Sequence, residues 1–111
     1  MPASDSLTVE LVPDSEKGRS TVVLRGRFTF AAHAAFREVL MQDLDRMVSD
    51  RILTFDLSSV EFVDSAALGM LLLAREAARK RSGKVALRGA TGQVQRMLSV
   101  SKFETMFLIE S

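Results

Sequence analysis

The sequence contains no cysteine, tryptophan or tyrosine, and it has a single histidine, His33. The absence of cysteine excludes both a disulfide framework and a zinc site built on thiolates. One imidazole is too few for a histidine-built metal centre, so any metal would have to be bound by carboxylates alone. We therefore expect a protein that uses neither a metal nor another cofactor.

A surplus of charge and a long apolar run are missing as well. The 15 lysine and arginine residues nearly balance the 14 aspartate and glutamate residues, which leaves a net charge of +1. Nucleic-acid binding usually depends on a strong basic surplus, so no nucleic-acid partner is expected. The longest apolar run, residues 66–74, is nine residues long, whereas a membrane-spanning helix needs about 20. With no signal pattern at its start, the chain is expected to be cytoplasmic, without membrane insertion.

What the chain does contain is the composition of one folded domain. Hydrophobic residues make up 47% of the 111 residues and charged residues 26%. These values are typical of globular proteins and far from those of disordered chains. Since a second folded unit would have too few residues for a core of its own, residues 1–111 are predicted to form a single domain.

The spacing of apolar residues predicts five strands and three helices in the order β-β-α-β-α-β-α-β. The predicted strands cover 7–12, 21–28, 51–57, 84–88 and 106–109, and the predicted helices cover 32–48, 65–82 and 91–100. A turn is expected at Ser58-Ser59, with Asp56 holding its backbone and an apolar triplet following at 61–63. Strands that alternate with helices indicate an α/β fold with a mixed, mostly parallel sheet. The first strand is expected to be antiparallel at an edge.

The second predicted helix has the most informative pattern. At about 100° per residue, one arc should face the sheet, and it comprises Ala67, Met70, Leu71, Ala74, Ala77 and Ala78. Leu68 and Leu72 fall in the opposite, charged arc with Ser65 and Gly69, so they are predicted to be exposed. An exposed apolar patch around a hydroxyl is typical of a contact surface. The alternative is that a neighbouring loop or helix covers the two leucines. Asp64 or Ser65 is expected to cap the helix.

Residues 55–72 resemble the signature of STAS domains, and in particular of the anti-sigma factor antagonists among them. The signature is a strand that ends in Asp56-Leu57-Ser58, a short apolar segment, and Asp64-Ser65-x-x-Leu68-Gly69 at the start of a helix. The resemblance extends over nearly the whole chain, including residues 24–28 and 94–98. It implies a STAS fold with about five strands and three to four helices.

The resemblance also implies a function without catalysis by this chain. In that family a partner anti-sigma factor with a GHKL-type serine kinase domain phosphorylates the first serine of the motif, and a PPM-type serine phosphatase removes the phosphate. Ser65 matches that serine. The unphosphorylated protein would bind the kinase and release a sigma factor or another target, and phosphorylation would end the binding. The partner surface implied is Asp64, Ser65, Leu68, Gly69 and Leu72, with Thr29, Phe30 and His33 of the loop after the second strand.

The chain departs from the family pattern at two places. Ala66 and Ala67 stand where many members have a second serine and a glycine, so Ser65 is expected to be the only acceptor in the motif. Thr29 stands where relatives often have an acidic residue that helps to engage the kinase.

Two other functions are compatible with the motif. One is a STAS subunit that is not phosphorylated and instead stabilises the ATPase of an ABC lipid-transport system, since such subunits can keep an Asp-Ser-Ala start. The other is an enzyme in which His33 activates Ser65. It is weaker because the sequence has no Gly-x-Ser-x-Gly elbow.

Overall fold

The computed structural model describes residues 7–14, 19–44 and 51–110. Its strands are β1 (Leu7–Asp14), β2 (Arg19–Phe28), β3 (Ile52–Val63), β4 (Lys84–Arg88) and β5 (Leu108–Glu110). Its helices are α1 (His33–Leu44), α2 (Ser65–Arg79) and α3 (Gly92–Val100), with short 3-10 helices at Phe30–Ala32 and Phe103–Thr105. The predicted α/β order is therefore confirmed.

The five strands form one sheet in the order β1-β2-β3-β4-β5. β1 pairs with β2 antiparallel at the edge, as predicted, and the other three pairs are parallel. Parallel strands in the middle of such a sheet are covered on both faces. In β3 the side chains of Leu53, Phe55 and Leu57 are accordingly buried, and so is Thr54 between them.

The predicted turn at Ser58-Ser59 is wrong, because β3 continues through it to Val63. The register between β2 and β3 shifts twice in this region, once between Val23 and Arg25 and once between Gly26 and Arg27 of β2. Shifts of this kind let a strand absorb an extra residue without ending. Polar residues that indicate a turn in the sequence thus mark an irregular strand.

Several element ends also differ from the prediction. α2 ends at Arg79 instead of residue 82. Just after this end, the N–H of Gly83 donates to the carbonyl of Ala78 at 2.8 Å. β5 begins at Leu108 and not at 106, because the chain first forms the 3-10 helix Phe103–Thr105. The first helix was expected to reach residue 48, but residues 45–50 lie outside the described part.

Membrane-spanning helices and groups of metal-binding side chains are both missing from the described ranges. In residues 7–14, 19–44 and 51–110, no helix has the length and apolarity to cross a membrane. The same residues contain no group of three histidine, aspartate or glutamate side chains arranged to hold a metal ion.

Candidate functional site

The carboxylate of Asp64 organises the start of α2. Oδ1 accepts the N–H of Ala67 at 2.8 Å, so Asp64 is the N-cap of the helix. Oδ2 accepts the N–H of Phe30 at 3.1 Å, which ties the loop after β2 to the same point. An aspartate cap is favourable because its oxygen satisfies an amide that has no partner within the helix. Of the two expected caps, the structure therefore assigns Asp64.

Gln93 of α3 fixes the end of β3 immediately before Asp64. Its Oε1 accepts the N–H of Val63 at 3.0 Å, and its Nε2 donates to the carbonyl of Val63 at 2.9 Å. β4 pairs with Ile52–Asp56 of β3, so Val63 lies beyond the strand on that side. The glutamine amide thus takes the place of a neighbouring strand. The role of Gln93 was not predicted from the sequence, because a polar residue in a helix gives no sign of which backbone groups its side chain binds.

Ser65 is the first residue of α2 and is exposed, as predicted. Asp64 supplies the cap, so the Ser65 hydroxyl lies at the surface without a capping role. The site thus presents one hydroxyl at a helix N-terminus, where peptide N–H groups favour negative charge, with one carboxylate next to it.

The predicted exposure of Leu68 and Leu72 is wrong. Leu68 is 8% exposed and belongs to the core, and Leu72 is half-buried against it. On the same side of α2, Arg75, two turns after Leu68, donates from Nε to the carbonyl of Met106 at 2.7 Å. Residues outside α2 therefore cover a side of the helix that its periodicity predicted to be exposed.

The exposed large hydrophobic side chain of α2 is Leu73, at 63%. The arc predicted to face the sheet is largely confirmed, with Ala77 only half-buried. Gly69, one turn before Leu73, is half-buried, and apart from the adjacent backbone of α2 a Cβ built on it would meet nothing within 4 Å. The open face of α2 hence carries Ser65, Gly69 and Leu73, at intervals of four residues.

The loop after β2 lies beside this face. Thr29 caps the 3-10 helix, because its Oγ1 accepts the N–H of Ala31 at 3.3 Å. Phe30 is 74% exposed, and its backbone is held by Asp64. His33 is exposed at the start of α1 and lines a groove between α1 and α2. The structure thus brings the loop residues predicted from sequence to the same side of the molecule as α2.

Asp56 binds the backbone of Ser58 as predicted, but it does so within strand β3 and not in a turn. Its Oδ1 accepts both the N–H of Ser58 at 3.0 Å and the Ser58 hydroxyl at 2.6 Å, and its Oδ2 lies 3.4 Å from the Arg88 guanidinium. Burial alone would raise the pKa of Asp56, but the two Ser58 hydrogen bonds and Arg88 outweigh it and hold the pKa below the ordinary value of 3.8. The charged carboxylate therefore links β3 to β4.

Comparison with known proteins gives consistent matches in sequence and in structure. A family model described as "Mlab, STAS domain" matches residues 12–110. A STAS-domain containing protein of Pseudomonas aeruginosa (strain UCBPP-PA14) is 31% identical over 103 residues, which cover 93% of this chain and 99% of that protein.

Solved structures show the same fold at lower identity. An anti-sigma factor antagonist from Mycobacterium paratuberculosis superposes with a TM-score of 0.83 at 23% identity, covering 99% of this chain and 90% of that one. The Bacillus cell fate determinant SpoIIAA in its phosphorylated form superposes with a TM-score of 0.67 at 13% identity, covering 96% and 92%. Given the family match over nearly its whole length, the chain belongs to the STAS domain family.

Proposed function

We propose that this protein is an anti-sigma factor antagonist of a partner-switching pathway. Its unphosphorylated form binds an anti-sigma factor with a GHKL-type serine kinase domain, and phosphorylation of Ser65 ends the binding until a PPM-type phosphatase removes the phosphate. The observation that carries the proposal is the exposed Ser65 hydroxyl at the first residue of α2. The chain itself acts as a binding protein and not as an enzyme.

The position of Ser65 suits a charge switch. A phosphate adds roughly −1.5 to −2 charges beside Asp64. The α2 N-terminus can accept a phosphate, so the fold should survive the modification. A partner seated on the same surface would instead have to desolvate the added charge. An effect of about 3 kcal/mol, which is within the cost of one buried unpaired charge, would weaken the complex more than a hundredfold.

The proposed partner surface surrounds Ser65. It includes Gly69, where a Cβ would meet only open space, so that the backbone of a partner can approach closely. Thr29 and Phe30 belong to it because the hydrogen bond from the Phe30 N–H to Asp64 holds their loop beside the start of α2. Leu72 contributes its exposed edge, and His33 adds the start of α1. Leu68 is excluded from this surface because it is a core residue.

Phosphorylation with the purified anti-sigma factor and ATP, followed by peptide mapping, tests the proposal. Phosphate should be found on Ser65 alone. Ser65→Ala should bind the kinase without being phosphorylated, and Ser65→Glu should bind about a hundredfold more weakly, in keeping with the charge cost above. Thr91→Ala is the matched control, since Thr91 is an exposed hydroxyl that precedes the α3 helix. Phosphate on another residue, or none with the cognate kinase, would contradict the proposal.

A second function is favoured by one feature of the site. The motif reads Asp64-Ser65-Ala66, a start that is compatible with an unphosphorylated accessory subunit of an ABC lipid-transport ATPase. In that case the purified ATPase should bind wild type and Ser65→Ala equally, and no kinase should modify the chain. The phosphorylation experiment therefore separates the two functions.

A further inference from the structure

The end of β3 is held from both of its edges. On one edge, Phe28 of β2 pairs with Val63, and the carbonyl of Phe28 accepts the N–H of Asp64 at 3.4 Å. On the other edge, the Gln93 amide binds the N–H and the carbonyl of Val63 at 3.0 and 2.9 Å. The peptide unit between Val63 and Asp64 therefore has both of its polar atoms bonded, the N–H by β2 and the carbonyl by α3.

Gln93 supplies a contact that no described strand provides at this position. β4 pairs with β3 only as far as Asp56 and Arg88, and the chain then turns at Gly89, which has a φ of +77°. Val63 is fully buried, so water does not readily replace a lost partner of its N–H or carbonyl. Without the amide of Gln93, the strand end would have to move towards water or leave both groups unsatisfied.

Ser65 takes its position from this strand end. It follows Val63 by two residues, and the intervening Asp64 binds the N–H groups of Phe30 and Ala67. The Ser65 side chain is exposed and does not cap the helix, so the location of its hydroxyl depends on the backbone that carries it. A shift of Val63 would therefore be passed on to the hydroxyl.

Phosphoryl transfer is sensitive to such a shift. In the proposed reaction, Ser65 Oγ forms a bond to the γ-phosphorus of ATP held by the kinase. The bond from that phosphorus to the bridging oxygen breaks, ADP leaves, and the hydroxyl proton passes to a base of the kinase. The attacking and leaving oxygens have to lie roughly in line. A misplacement of about 1 Å can slow an enzymatic step about a hundredfold, so the hydroxyl has to be placed accurately as well as exposed.

We propose that Gln93 is a positioning residue for the phosphorylation of Ser65: by holding Val63, it sets where the hydroxyl lies in the active site of the kinase. The inference rests on the proposed function and adds a residue of α3 to the same site. Gln93 is half-buried and lies outside the partner surface described above. Its loss should therefore slow the transfer of phosphate much more than it weakens the complex.

Single-turnover phosphorylation with saturating anti-sigma factor and ATP tests this role, because it measures transfer within the formed complex. Gln93→Met keeps the length of the side chain and removes both hydrogen bonds. It should slow the transfer at least tenfold, while the Kd of the unphosphorylated complex stays within about twofold of wild type. Gln93→Glu keeps an acceptor for the N–H of Val63 but lacks the donor for its carbonyl, so its rate should lie between the two. Gln95→Met makes the same change at an exposed position of α3 and should keep the wild-type rate.

Hydrogen exchange in the free protein shows whether the strand end has been released. The Val63 amide should exchange faster in Gln93→Met than in wild type, and Gln95→Met should leave its exchange unchanged. Unchanged exchange in Gln93→Met would overturn the inference. Gln93→Glu provides the same comparison if the methionine variant does not fold.

A less stable fold has to be distinguished from a misplaced serine. Val85 is buried near the start of β4, at the end of the sheet away from Ser65, so Val85→Ala should lower stability and leave the transfer rate unchanged. Equal slowing by Val85→Ala and Gln93→Met would overturn the inference. So would a wild-type rate in Gln93→Met while wild type is phosphorylated on Ser65, an outcome that leaves the proposed function standing. If wild type takes up no phosphate on Ser65, both fail.

Discussion

The backbone N–H of Phe30 donates to Oδ2 of Asp64 at 3.1 Å, across 34 residues of sequence. The other oxygen of the same carboxylate caps α2 through the N–H of Ala67. One side chain therefore holds both the start of α2 and the loop beside it. Under the proposed function, a phosphate on Ser65 would add its charge next to the group that joins these two segments.

Substitutions of Asp64 should separate its two hydrogen bonds. Asp64→Ala removes both and should lower the free energy of unfolding by about 2 kcal/mol, from the cap and the loop contact together. Asp64→Asn has one carbonyl oxygen and can serve only one of the two positions, so about half of that loss is expected. Chemical denaturation measures the totals, and amide hydrogen exchange at Phe30 and Ala67 shows which bond is lost.

Thr91→Ala provides the comparison for the cap. Thr91 occupies the N-cap position of α3, but its side chain makes no capping hydrogen bond. Its removal should change stability by no more than about 0.5 kcal/mol. If Asp64→Ala were as mild as Thr91→Ala, the carboxylate would not have the organising role described.

Leu68 and Leu73 offer the same chemical change in two environments on one helix. Leu68→Ala removes buried side-chain volume and should cost about 2 to 5 kcal/mol. Leu73→Ala acts on a side chain that is 63% exposed and should stay within about 0.5 kcal/mol. Thermal or urea unfolding of the two variants is the measurement. Equal losses would show that the open face of α2 is misassigned.

Two glycines should respond to alanine with opposite signs. Gly89 has a φ of +77°, and a Cβ there would lie 2.8 Å from the Cβ of Ser58, so Gly89→Ala should cost at least about 1 kcal/mol. Gly69 lies inside α2 with open space around its Cα, so Gly69→Ala should raise stability by about 0.5 to 1 kcal/mol. Denaturant midpoints measure the stability change of each variant. Changes of the same sign in both would contradict the packing of Gly89 on Ser58.

Acid should weaken the link between Asp56 and Arg88. The pKa of Asp56 is lower in the folded protein than its ordinary value of 3.8, so its charged form stabilises the fold. This stabilisation is complete above pH 3.8 and is lost as the pH falls through the lowered folded value. The stability difference between wild type and Asp56→Asn should therefore be constant near neutral pH and shrink below pH 3.8.

Titration of the Asp56 carboxyl by NMR gives the direct measurement. Arg88→Met removes one of the groups that favour the charged form and should raise the pKa of Asp56, while the Ser58 hydrogen bonds remain. A wild-type Asp56 that titrates at or above its ordinary value would contradict the assigned contacts.

Local patterns were sufficient for much of the fold. The alternation of apolar periods predicted the element order, and β4 occurs over the predicted residues 84–88. Side chains that act on nearby backbone were also largely predictable: the cap of α2 was narrowed to Asp64 or Ser65, and Asp56 was expected to hold the backbone at Ser58; the observed bonds of Asp64 and Asp56 both lie within three residues. Such contacts depend on sequence distance alone, because the chain itself keeps the partners together.

The contacts that shape the site are of another kind. Arg75 of α2 donates to the carbonyl of Met106, 31 residues further along the chain, and the end of β3 is held by Gln93, 30 residues after Val63. Leu73 lines a groove with residues of α1, although more than 30 residues of sequence separate it from them.

By itself, the sequence determined a cysteine-free chain of alternating strands and helices with an Asp-Ser pair at the start of a helix, since composition and local hydrogen bonding require no knowledge of distant neighbours. Only the tertiary structure decided which leucines of α2 face solvent and which hydrogen bond ties the loop after β2 to Asp64. A helix has one periodicity but several sides, and the segments that pack against each side come from remote parts of the chain.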